Sequence, residues 1–307
     1  MNFKLKSVRK PADTEFGSLE ARTAPVSEEK IAERLTAAPD GPPSKISELV
    51  RRRIVIGKSK VSIAPPVENG LETVFNADER TRIVSTDQYP WKLICALEID
   101  AMTGTYVGTG WVVGPRTLIT AGHCVFDSKQ MGGWAREIRV TPGRDRERRP
   151  FGSFVARRFS TLNLWTEKQD ADYDIAAIHL DADLFPATEA FRVGALPDEE
   201  LQDYLINVSG YPASPGGGTE LYWAKNRIRA VTTRRIFYDV DTSGGQSGGP
   251  AYVFPDENAH PVVVGIHAYG EGGTPGSIAM RVNSAPRVLP EVVEQIEAWR
   301  DEDLESS

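Results

Sequence analysis

Short apolar stretches recur along most of this chain, each closed by glycine, proline or a polar cluster. Leu93–Ile99, Thr105–Val113 and Thr117–Thr120 open the series, with Gly114-Pro115 turning between the last two. Ile138–Val140, Phe154–Phe159, Ile175–Leu180, Ile206–Ser209, Ile228–Thr233, Ile236–Val240, Ala251–Phe254, Val262–His267 and Ser277–Val282 continue it. Segments this short cannot bury a helical face, but they suit strands joined by turns, and the 27 glycines and 21 prolines supply the turns. The pattern predicts an all-β chain of antiparallel barrels or a sandwich. Helical spacing returns only at the end, where Leu289, Val293, Ile296 and Trp299 follow one another around Pro290. That helix is expected to pack on the last barrel.

With 307 residues there is room for one large or two medium domains. Residues 1–72 differ in texture: Phe3 and Phe16 are their only aromatics, and charges and prolines are frequent. Short helical pieces are expected at Ile31–Leu35 and Ile46–Val50, within a segment that reads as a prosegment or interaction arm. The expected divisions are 1–72 for that arm, 73–185 and 186–285 for two β-domains, and 286–307 for the helix and tail. A formal net charge of −7 argues against nucleic-acid binding by the whole chain. No apolar run is long enough to span a membrane. The basic start, Met1–Lys10, lacks the apolar core of a secretory signal, so an intracellular location stays open. Oligomeric state is not legible.

Asp241-Thr242-Ser243-Gly244-Gly245-Gln246-Ser247-Gly248-Gly249-Pro250 sets Ser247 among four glycines. Glycine permits the sharp turn and close approach that an oxyanion held by backbone N–H groups requires. Serine is a weak nucleophile and needs an oriented base. His123, after the apolar Leu118-Ile119 and the small Thr120-Ala121-Gly122, is that base. Asp174 is the orienting carboxylate, preferred over Asp172 because it abuts the apolar run Ile175–Leu180. Gly245 and Ser247 supply the oxyanion amides. His179 reads as a packed or edge residue and His260 as a loop residue. Gly245–Gly249 also fits the G-x-S-x-G elbow of α/β-hydrolases, but Ala251–Phe254 reads as strand where that fold needs helix. The chemistry requires no cofactor and takes a peptide or protein substrate.

The motifs Asp78-Glu79-Arg80-Thr81-Arg82, Gly108-Thr109-Gly110-Trp111, Thr120–Cys124, Tyr173-Asp174, Gly210-Tyr211-Pro212, Asp241–Pro250 and Gly265-Ile266-His267 together resemble those of chymotrypsin-fold serine proteases, within them the bacterial glutamyl endopeptidases. The resemblance runs from about Glu72 to Arg300. It implies two antiparallel six-stranded barrels with the catalytic residues in the cleft between them. It also implies cleavage after glutamate, less well after aspartate, with Thr242 and His267 lining the specificity pocket, and it implies secretion. Trypsin-like zymogens are activated when a new N-terminus pairs with an aspartate just before the serine; Gln246 stands there instead. Thr73-Val74-Phe75 matches the family's mature start, so a cut between Glu72 and Thr73 is expected. Relatives with a disulfide near the histidine usually place its other half where Gly108 stands; here Cys95 is the only candidate partner for Cys124. A protease-like binding module without catalysis, and an intracellular regulated protease of different specificity, are the alternative readings.

Overall fold

The structure, a computed structural model, describes residues 4–11, 74–75, 78–202, 204–255, 260–270 and 280–305. Glu72, Thr73 and the expected helical pieces at 31–35 and 46–50 lie outside them. The strands are β1 (Ser7–Arg9), β2 (Thr81–Ile83), β3 (Ile94–Ala101), β4 (Gly104–Val112), β5 (Thr117–Thr120), β6 (Phe126–Asp127), β7 (Gly133–Trp134), β8 (Glu137–Pro142) and β9 (Phe154–Ala156). They continue as β10 (Arg158–Leu162), β11 (Ala176–His179), β12 (Arg192–Val193), β13 (Leu205–Gly210), β14 (Leu221–Val231), β15 (Arg235–Tyr238), β16 (Pro250–Val253), β17 (Val262–Ile266) and β18 (Asn283–Pro286).

The first sheet runs β1-β10-β11-β5-β4-β3-β8-β9. Only Arg157 separates β9 from β10, yet they stand far apart in that order. They form one bent strand that closes the sheet on itself. With β11, β5, β4, β3 and β8 it makes a six-stranded barrel. The second sheet runs β12-β17-β16-β13-β14-β15-β18. Here β14 bends at a register shift between Ile228 and Ala230, pairing with β13 before it and β15 after it. A bridge between Gly265 and Arg287 joins β17 to the end of β18 and closes the second barrel. β6 and β7 form a separate hairpin. Pairing within both closed barrels is antiparallel, with only the short β12 laid parallel on β17, and closure removes the exposed edges that open sheets must protect.

Two expectations are corrected. The C-terminal helix, Pro290–Glu305, packs on the first barrel: Val292, Ile296 and Trp299 join the apolar cluster of Leu97, Trp111, Leu118 and Phe159. Burying side chains of this size contributes about 1.5–3 kcal/mol each. A polar anchor adds to it, because the buried Asp303 carboxylate accepts from Thr117 Oγ1 (2.7 Å) and bonds His179 Nδ1 (2.8 Å), with Arg158 3.5 Å away. His179 is thus the packed histidine its strand position suggests.

Within residues 1–72, the described start joins the first sheet. β1 adds to the otherwise open side of β10, with Lys10 N–H donating to Phe159 O and Asn163 N–H donating to Lys6 O, both at 2.9 Å. The second correction is the last described strand, Asn283–Pro286; of the expected Ser277–Val282, residues 277–279 lie outside the described residues and 280–282 are not strand. Asn-Ser-Ala-Pro has little strand propensity, but all four residues are buried and pair with β15.

Candidate active site

β5 ends at Thr120 and the chain tightens into a short 3-10 turn over Gly122–Cys124, which carries His123. A Cβ on Gly122 would fall 2.9 Å from Asp174 Oδ1 and 2.7 Å from the Trp165 ring, so only glycine allows this approach. Asp174 follows the 3-10 turn Ala171–Tyr173, just before β11, and is fully buried. Its two oxygens divide the work. Oδ1 accepts the His123 backbone N–H at 2.8 Å, and Oδ2 lies 2.7 Å from the ring Nδ1. With the carboxylate ionised, Nδ1 carries the proton and donates, leaving Nε2 with a lone pair. Asp172 is not in this pairing; its N–H instead bonds the Asp170 carboxylate.

Burial alone would lower the His123 pKa. The charge of Asp174, then Cys124 and the hydrogen bond to Asp174, outweigh this and raise it well above the usual value. Tyr269, from the second barrel, stands over the other side of the ring at 6.1 Å between centroids. Burial, together with the charge of Asp174 and a hydrogen bond to it, pushes the Tyr269 hydroxyl up, so it stays protonated and donates. Nothing in the sequence flagged Tyr269, because a lone tyrosine after a buried strand reads as packing.

The Ser243–Gly249 loop leads into β16 and sits where the two barrels meet. Gly245 and Gly248 have φ of +99° and +85°. A Cβ on Gly248 would fall 2.1 Å from Thr120 Oγ1 and 2.2 Å from Thr109 O, which no side chain could tolerate. Thr109 of β4 ties the loop to the first barrel. Its N–H donates to Ser247 O (2.9 Å) and its hydroxyl to Gly245 O (2.9 Å), while accepting from Tyr211 N–H (2.9 Å). Ser247 therefore lies against the turn that carries His123, with Cys124 Sγ 3.7 Å from its carbonyl oxygen. The Gly245 N–H has no hydrogen-bond partner among the described residues.

Thr242 and His267 flank this loop and are fully buried. Thr242 leads into it; the His267 backbone bonds Gly248 N–H (2.6 Å) and Gly249 O (2.9 Å). His267 Nδ1 lies 2.6 Å from the Tyr238 hydroxyl. Thr242 Oγ1 is buried and has no partner among the described residues.

The possible Cys95–Cys124 bridge is absent: both thiols are buried and free. Cys95 pairs across β3–β4 with Gly110, two residues from Gly108. An ideal Cβ on Gly108 would fall 3.1 Å from Cys124 Sγ, so Cys124 faces the glycine and not the other cysteine. Burial pushes the Cys95 thiol up, which keeps it unreactive.

A second Ser–His–Asp chain exists, since His179 Nε2 lies 2.8 Å from Ser160 Oγ while Nδ1 meets Asp303. It cannot serve the same chemistry. Ser160 sits inside β10 with its backbone paired to Arg9 on one side and Ala177 on the other, so no amides remain for an oxyanion.

Residues 108–266 match the model of the trypsin-like peptidase domain. Two closed antiparallel barrels meeting at a His–Asp pair and a glycine-bound serine define the chain as a serine endopeptidase of the trypsin type. It is 30% identical over 235 residues to the glutamyl endopeptidase of Bacillus licheniformis, covering 75% of this chain and 70% of that one. It is also 30% identical over 233 residues to a Bacillus subtilis protein called extracellular metalloprotease, with the same coverages. A solved structure of Glu endopeptidase in complex with MPD superposes with a TM-score of 0.63 at 23% identity, over 75% of this chain and 100% of that one. The chain belongs to the bacterial glutamyl endopeptidase family.

Proposed function

We propose that this protease cuts peptide bonds after glutamate, and less readily after aspartate, by a His123–Asp174–Ser247 relay. Ser247 Oγ attacks the scissile carbonyl and gives its proton to His123 Nε2. Asp174 holds the ring tautomer and offsets the imidazolium charge. The Gly245 and Ser247 N–H groups hold the oxyanion. His123 then protonates the leaving amine, and water repeats the cycle to free the acyl group. The observation that carries the reading is the double grip of Asp174 on His123, backbone and ring together, beside the Ser247 turn.

The acidic preference rests on Thr242 and His267. A buried hydroxyl without a partner is unfavourable until something accepts from it, and a substrate carboxylate would. With Tyr238 donating to His267 Nδ1, the ring proton sits on Nε2 as a second donor. An apolar side chain would satisfy neither, and a neutral amide oxygen would accept more weakly than a carboxylate.

Processing between Glu72 and Thr73 completes the proposal, since the enzyme's own specificity fits that bond. The bond from Phe75 N–H to Asp241 Oδ1 (2.6 Å), one residue before Thr242, supports this reading. The new Thr73 amine would then add positive charge near the substrate carboxylate. Secretion is the location that the Bacillus subtilis relative's name, extracellular, supports.

Digestion of a mixed peptide library by wild type and Ser247→Ala tests this, with mass spectrometry of the cuts and of the protein's own N-terminus. Cuts after Glu by wild type alone, with a new Thr73 end, are expected. Cuts after another residue would overturn the roles of Thr242 and His267. No cuts by chain lacking residues 1–72 would overturn the relay.

A further inference from the structure

Arg80 carries a guanidinium whose side chain is only 3% exposed. Asp78 grips one edge of it, with Nε 2.9 Å from Oδ1 and Nη2 2.7 Å from Oδ2. The remaining nitrogen, Nη1, reaches into the serine loop. It donates to Ser243 Oγ (2.5 Å) and to Gln246 Oε1 (3.1 Å). Gln246 Oε1 also accepts the Ser243 N–H at 3.1 Å, and the Gln246 N–H returns to Ser243 O at 3.1 Å. Ser243 Oγ in turn donates to Ser214 O (2.6 Å).

The Ser243–Gln246 turn is thus closed twice on itself and clamped from outside by one buried cation. Beside it, two bonds from outside reach the turn's backbone, Ala213 N–H to Gly244 O (2.6 Å) and Thr109 Oγ1 to Gly245 O (2.9 Å), while the glycines themselves offer no side chain to hold. Gly244 has no atom within 4 Å of where a Cβ would be, and Gly245 is left-handed with no side chain to pack. A buried cation is tolerated only with a counter-charge and satisfied donors, and Asp78, Ser243 and Gln246 supply these.

We propose that Arg80 is a positioning residue for the oxyanion amides, holding the turn so that Gly245 and Ser247 N–H converge on one point. This rests on the reading of those amides as the oxyanion site. The clamp comes from within the chain, at residues 78–80, so the turn is set before any upstream cut. Arg80 fills the role that a new N-terminus plays in trypsin-like zymogens, with neutral Gln246 in place of an aspartate. Cleavage at Glu72–Thr73 then acts on substrate binding and not on the shape of the oxyanion site.

The test compares wild type, Arg80→Ala, Arg80→Lys, Gln246→Ala and the Arg80→Ala/Gln246→Ala pair. Arg80→Ala is expected to lower kcat on a Glu-containing peptide by about 10- to 100-fold with KM nearly unchanged, because misaimed donors hurt only the transition state. Arg80→Lys should restore part of the loss, and the double variant should be no worse than the worse single one. Amide hydrogen exchange over residues 241–250 should rise in Arg80→Ala while the barrel strands keep wild-type protection. Unchanged exchange in that stretch, or a rise in KM alone, would overturn the proposal. So would full additivity in the pair. Exchange reads the clamp even where no peptide is cut, whereas lost hydrolysis in Ser247→Ala tests the site itself, so the two failures are distinguishable.

Discussion

Replacing Asp174 with asparagine changes one atom in a fully buried side chain, and the geometry dictates the outcome. The His123 backbone N–H, 2.8 Å from Oδ1, cannot turn away, so the asparagine oxygen must stay on it. The new NH2 then faces Nδ1, where Oδ2 stood at 2.7 Å. Two donors cannot share that contact, so Nδ1 gives up its proton and Nε2 takes one. The ring now points N–H at Ser247 and cannot accept from it. A wrong tautomer of this kind lowers kcat by about 10⁴, or about 5–6 kcal/mol of transition-state stabilisation. The pH profile moves as well. In wild type Asp174 raises the His123 pKa despite burial, so the acid limb of kcat/KM should lie above the ordinary histidine value of about 6.5. With the charge gone and burial remaining, the limb should shift to lower pH. The same raised pKa favours the folded state below about pH 6.5, and that contribution is lost as pH rises through the folded value. Steady-state hydrolysis of a Glu-containing peptide from pH 5 to 9 measures both effects. A fall in kcat of less than about tenfold, or an unmoved acid limb, would refute the reasoning.

Gly108→Cys should form a disulfide with Cys124, leaving Cys95 as the one alkylatable thiol, and should stabilise by about 3 kcal/mol as expected for a loop of about 15 residues; two further free thiols after oxidation would contradict the geometry. His267→Leu and Thr242→Ala should each reduce the preference for Glu over Gln before the cut by about 100-fold or more, read from paired peptides, because a carboxylate then meets a missing donor. Asp303→Ala strips the acceptor shared by Thr117, His179 and Arg158; it should cost about 3–5 kcal/mol and lower Tm by on the order of 10 °C without changing kcat of the folded fraction.

Much of the fold was legible because closed barrels are built from short apolar strands, and those strands announce themselves by composition. Where the strand is specified by a neighbour, the sequence is silent. β1 is Ser-Val-Arg and exists because β10 offers it a partner. Most of β14 was missed because Lys225, Asn226 and Arg227 interrupt its apolar pattern while it runs between two partner strands. The helix was seen but assigned to the wrong barrel, since an apolar stripe does not name what it covers. Asp303, Thr117 and His179 do, and they converge only in three dimensions.

The site was legible in the same uneven way. His123, Asp174 and the Ser247 loop follow from residue types whose chemistry demands one another. Thr109, Tyr269 and Arg80 do not, because a strand threonine, a tyrosine and a surface-looking arginine have ordinary readings until their partners are known. Thr109 and Arg80 hold the serine loop, and Tyr269 packs on the His123 ring.

Ser247 as the activated nucleophile is the feature on which the proposed catalysis depends. Treatment with a fluorophosphonate probe, followed by peptide mapping, measures this directly in protein lacking residues 1–72. One modification, on Ser247, lost in His123→Ala as well as in Ser247→Ala, is the predicted result. An unmodified Ser247, or a label on Ser160, would contradict it.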